Sequence, residues 1–210
     1  MAVEAWATRS ALTTGIEAIR TANTIGPVRV FGSSKVFQDA GGPPVREAIA
    51  GVWRGHDAVA VTMYRARPSR RPGCLVAGAL EIPASSSPVV IEHRRLADEA
   101  SPGFALEPIE LEAEAFNRAY IVRARDAKCA EDLIDARLMA WLLDRDPPYA
   151  FVVAGGGAMS YTWLRHRQRV GSLAYPQDYE SALEAASAFV AHIPRVFFTL
   201  HPAAHEGSER

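Results

Sequence analysis

The chain has 210 residues, 49% of them hydrophobic and 22% charged, with a formal net charge of -1. These values belong to a globular protein with a sizeable core and exclude a disordered chain. The neutral balance lacks the basic footprint of a nucleic-acid binder, and two cysteines are too few for a disulfide framework.

In chain order, Trp6, Leu12, Ile16 and Ile19 recur at roughly helical spacing, which predicts an amphipathic helix over 5–24 that Gly26-Pro27 stops. Residues 28–37 have strand character, and 39–45 read as a loop. Residues 57–65 and 74–82 alternate as strands around an Arg70-Arg71-Pro72-Gly73 turn, a hairpin pattern. A Pro- and Ser-rich loop at 83–88 separates these from a short strand at 89–93. Ile109 and Leu111 alternate with Glu110 and Glu112, and 116–123 predicts a further strand. Asp126 is a good N-cap for a helix running to about Leu143. Residues 149–153 and 159–164 predict a third hairpin around Gly155-Gly156-Gly157. A last helix spans about 178–192, and the run 196–200 is apolar. The order predicts an α+β fold, an antiparallel sheet of hairpins packed by two or three helices. It divides into an N-terminal helix at 1–25, one domain at 26–200 and a flexible tail at 201–210.

The chemistry legible in the chain is sparse. A phosphate loop needs a helix directly after its glycines, and a strand pattern follows Gly155-Gly156-Gly157. Gly32-Ser33-Ser34-Lys35 lacks the upstream glycine of a nucleotide loop. His56-Asp57 and Glu92-His93 pair a histidine with a carboxylate, but neighbours on a strand point to opposite faces, so any dyad must form across strands. His192, His201 and His205 lack metal-ligand spacing. Glu107, Glu110, Glu112 and Glu114 read as a solvated strand face. Candidate site residues for an enzyme are therefore His56, His93 and Tyr120. No cofactor and no metal are expected.

One segment carries a resemblance. Glu114, Phe116, Asn117, Arg118, Val122, Asp126, Leu133, Arg137, Met139, Trp141, Leu142 and Leu143 stand in an order similar to a motif in a group of actinobacterial proteins of unknown function. Those proteins usually carry N-terminal membrane spans before a soluble α+β domain. The resemblance covers about 50–195 and implies that α+β domain, with no catalytic residues to carry over. It departs at the N-terminus, where this chain has one amphipathic stripe in place of membrane spans.

The chain therefore reads first as a non-enzymatic interaction or scaffold domain, a subunit of a larger assembly. The expected partner is a protein or a second copy, engaged through Trp6, Leu12, Ile16 and Ile19. The alternative is a small-molecule-binding protein or hydrolase-like enzyme with a His/carboxylate site on the sheet. Nucleic acid is not an expected partner, and peripheral membrane attachment is not indicated. The expected location is the cytoplasm, because no stretch is long and apolar enough to span a bilayer.

Overall fold

The computed structural model describes residues 12–14, 18, 27–28, 45–67, 70–95, 106–164 and 174–203. Its strands are β1 (Leu12–Thr14), β2 (Val45–Trp53), β3 (His56–Arg67), β4 (Arg70–His93), β5 (Glu107–Ile109), β6 (Tyr120–Ala124) and β7 (Ala150–Trp163). Its helices are α1 (Glu114–Ala119), α2 (Ala127–Leu133), α3 (Ala136–Arg145), α4 (Pro176–Val190) and α5 (Arg195–Leu200). The α+β class expected from the sequence is the class observed. All strand pairings among the described residues are antiparallel, in the order β1-β2-β3-β4-β6-β5, with β7 also pairing β4.

β4 is the spine. Its first half pairs with β3, from Arg67↔Arg70 to Ala58↔Leu80, and its last residues pair with β6 from Val89↔Ala124 to His93↔Tyr120. β7 pairs with β4 through Leu75↔Trp163 at one end and Ile91↔Phe151 at the other. The register shifts between Glu81↔Gly157 and Ser86↔Gly155. Four β4 residues there face the single Gly156, a large bulge.

The bulge changes the phase of both strands. Before it, Leu75, Ala77 and Ala79 face one core cluster; beyond it, Val90 does. In β7, Ala150, Val152 and Ala154 share that face with Met159 and Tyr161. Odd and even positions thus exchange faces in each strand. Gly155 takes φ 55, in the left-handed region that glycine enters without a Cβ clash. The glycine triplet and the 83–88 segment are therefore bulge chemistry inside continuous strands. The third hairpin expected at 149–164 does not form, and the expected loop at 83–88 is part of β4.

Ala18 and Val28 are buried against the first face, with Leu106 partly buried beside them. The opposite face carries α1 to α5. α4 lies over Ile49, Ala58, Ala60, Val76 and Leu80. The other helices cover Ile82, Ala84, Val89, Ile91, Phe151 and Val153. α4 comes very close at Gly78: a Cβ there would sit 2.6 Å from the backbone C of Ala182. Opposite Gly78 in β7, buried Ser160 donates from Oγ to the same Ala182 carbonyl at 2.6 Å.

Several expected elements are corrected. Leu12–Thr14 is a strand on β2, Thr13 facing Ala50, where a helix over 5–24 was expected. Two β-branched threonines suit a sheet edge, and the thin apolar stripe gave little else to bury. Trp6, Ile16 and Ile19 lie outside the described residues. Val28 is helical where a strand was expected. β2, with no counterpart in the sequence reading, turns into β3 through Arg54 (φ 50) and Gly55 (φ 85), the backbone of a two-residue hairpin. Arg70 to Gly73 belong to β4 and form no turn. β5 is shorter than expected, and Glu114 to Ala119 form a helix before β6, so Glu110, Glu112 and Glu114 do not share a strand face. Asn117 folds back, taking the Leu111 N–H on Oδ1 at 3.2 Å and donating Nδ2 to the Leu111 carbonyl at 2.6 Å, which a strand would not allow.

The single helix expected from Asp126 is two. Asp126 caps α2 as expected, and Asp135 caps α3 by accepting from Leu138 N at 2.8 Å. His201 and Pro202, assigned to a flexible tail, are tied to β4: Ser85 N donates to the His201 carbonyl at 3.0 Å and Ala84 bridges Pro202. Among the described residues no helix is long and apolar enough to cross a membrane.

Candidate functional site

Two neighbouring features lie at the C-terminal end of α3. The first is a groove. Leu138 and Leu142 anchor α3 in the core, which turns Trp141 toward α4 half-buried. The helix stops at Asp146, whose left-handed φ of 41 lets its N–H reach the Leu142 carbonyl at 3.0 Å. Pro147 and Pro148 then carry the chain into β7. Trp141, Arg145, the two prolines, Tyr149 and Phe151 form one side of a groove of about 410 Å³. Ala185, Ala188 and His192 form the α4 side. An aromatic stack supports it. Trp141 lies on His192 with ring centroids 4.7 Å apart, and Phe151 stacks on Phe189 at 4.5 Å. The His192 ring is held by a 2.8 Å contact between Nδ1 and the Ala188 carbonyl.

The second feature gathers two of the three enzyme candidates. His93 and Tyr120 are register partners, their rings edge to face at 4.9 Å. His93 Nδ1 accepts from the Arg95 N–H at 3.0 Å, and Nε2 lies 3.3 Å from Asp146 Oδ1. Arg95 also pairs with Asp146. Burial and then Arg95 push the His93 pKa down, against the pull of Asp146. A neutral ring with its proton on Nε2 donates to Asp146 and leaves Nδ1 to accept from the Arg95 N–H. Tyr120 donates its hydroxyl to the Leu142 carbonyl at 2.9 Å, and its pKa is pushed up to about 12 by burial first and Asp146 second. These bonds lock the end of β4 to the C-cap of α3. His56 is elsewhere, at the β2–β3 turn, with Nδ1 3.2 Å from the Glu81 carbonyl.

Glu92, beside His93, points to the other face, as strand alternation requires, and is fully buried. Tyr161 donates to its Oε1 at 2.6 Å, while Arg123 Nε stands 3.8 Å from Oε2, too far for a hydrogen bond. Burial pushes the Glu92 pKa up, against the Tyr161 hydrogen bond and Arg123. The only sequence signal for this cluster was a glutamate inside the apolar run VVIEH. The groove had less signal, since its walls come from segments far apart in the chain. Arg137 is exposed and donates to the Ala191 carbonyl at 3.4 Å. Glu114 pairs with Arg118. Cys74 and Cys129 are both buried. Among the described residues no group of His, Cys, Asp or Glu is placed to hold a metal ion.

The fold and the groove define an α+β protein with an antiparallel sheet, α1 to α5 on one face and an open apolar groove between α3 and α4. The same fold occurs in the crystal structure of the mycobacterial trehalose monomycolate transport factor A, TtfA. That likeness has a TM-score of 0.59 and 10% sequence identity, over 98% of this chain and 97% of the other. At that identity it shows the fold alone. No protein-family model matches the chain, and no curated protein sequence does.

Proposed function

We propose that this chain is a non-enzymatic interaction domain that works as an accessory subunit of a larger assembly. The observation that carries the reading is the groove between α3 and α4. It presents Trp141, Tyr149 and the Pro147-Pro148 wall at the surface, a composition suited to anchoring a partner's apolar side chains. The likeness to a transport factor, over nearly the whole length of both chains, supports an accessory role by analogy. The His93, Arg95, Asp146 and Tyr120 cluster is accounted for by its structural work at the β4–α3 junction.

The test is affinity purification of the full chain from its native cells, beside an Ala188→Arg variant that fills the groove from its exposed α4 side. A partner that co-purifies stoichiometrically with the wild type and not with the variant supports the reading. A partner set identical for both chains, or activity on a small substrate that His93→Ala abolishes in a folded protein, sinks it.

A further inference from the structure

We propose that the groove takes an acidic, apolar segment of a protein partner, with an apolar side chain entering between Trp141 and Tyr149 and carboxylates meeting Arg137 and Arg145. This rests on the interaction-domain reading and narrows it to one partner chemistry. Arg137, Trp141 and Arg145 stand at i, i+4 and i+8 of α3, so they share a face. Eight residues of helix place the two arginines about 12 Å apart along the axis. Arg145 lines the groove directly. Arg137 reaches across to the end of α4, where Nη2 lies 3.4 Å from the Ala191 carbonyl.

Both guanidiniums have capacity to spare. The Arg137 contact is one long bond to a neutral oxygen. Among the described residues Arg145 pairs with its chain neighbour Asp144, at 3.8 Å with both side chains mostly exposed, the kind of pair that contributes little. By contrast, Arg54 is held by Glu184 at 2.6 Å, and Arg95 by Asp146. An apolar floor with one cation lining it and a second a helical turn before Trp141 complements an apolar anchor flanked by acids, the helix-in-groove mode of recognition. The concavity, walled by Pro147 and Pro148, suits a peptide side chain better than a flat anionic membrane.

Two fluorescein-labelled peptides probe this. One carries a Leu-Phe anchor flanked by glutamates two helical turns apart, and its counterpart has lysine at the glutamate positions. Anisotropy titration of the full chain should show binding of the acidic peptide, weakened by salt, and not of the lysine peptide. The double variant Arg137→Glu/Arg145→Glu alters two exposed residues, and an unchanged melt will show that it folds. It should weaken the acidic peptide about tenfold and gain the lysine peptide. Equal binding of both peptides, or indifference to the double variant, overturns the proposal. So does binding only to phosphatidylserine vesicles, or a doubling of mass in light scattering that the double variant abolishes with no peptide bound. If neither peptide binds while a cellular partner is still lost with Ala188→Arg, the acidic occupant is wrong and the interaction reading survives.

Discussion

Glu92 and Trp141 show how much a side chain's surroundings decide. Glu92 is fully buried, and burial raises its pKa. The folded chain therefore holds the proton more tightly than the unfolded one. The stabilisation from the protonated form is complete below the ordinary carboxylate value of about 4.3 and is lost as pH rises through the raised folded value. Glu92→Gln keeps an oxygen for Tyr161 and removes the charge. Its melting temperature should improve relative to wild type between about pH 4 and pH 7. A difference between the two that stays constant over that range would show that the carboxylate is not the titrating group. Trp141 lies half-buried on His192 and not at the centre of the core. Trp141→Ala should cost about 2 kcal/mol by urea denaturation, below the ~3–5 kcal/mol of a fully buried tryptophan. A loss at the upper figure would place the ring deeper than the groove geometry allows.

Elements were legible where one local pattern sufficed. The pairing of β3 with β4, the capped helix start at Asp126 and the last helix, α4, were each readable from local pattern alone. Elements were not legible where one local pattern fits two structures. A glycine triplet suits a reversal or a bulge, and only the pairing of β7 with β4 on both sides of it makes the chain run straight. Gly78 breaks an apolar strand without local cause; the cause is the backbone of α4 lying against it. Gly78→Ala should destabilise by at least ~1–3 kcal/mol, since backbone and not a flexible side chain must give way. A melt within a degree of wild type would mean that α4 slides freely on the sheet. The N-terminal segment reverses an expectation. Because β1 adds to β2 and Ala18 is buried, deleting residues 1–25 should lower stability and uncover the β2 edge. A truncated chain melting like the full one would show that β1 adds nothing to the sheet.

At the scale of the molecule, β4 runs through the whole sheet and reaches all three core clusters, Leu75 in one, Ile82 in the second and Val76 in the third. A strand shared this way should make unfolding one cooperative event, with calorimetric and van't Hoff enthalpies in agreement. Two resolved transitions would divide the chain at the bulge. By itself the sequence determined the class: its composition requires a core, its strand patterns with few helices require an antiparallel sheet, and its caps mark where helices begin. These follow from forces acting over a few residues, the periodicity of burial and the hydrogen-bonding needs of helix ends. Only the tertiary structure decided that the glycine triplet is a bulge, that Leu12–Thr14 joins the sheet, that Glu92 is swallowed while His93 is not, and that α3 and α4 leave a groove between them. Each depends on which distant segment lies opposite. That is set by the free energy of burying whole faces together, a quantity no local window of the chain contains.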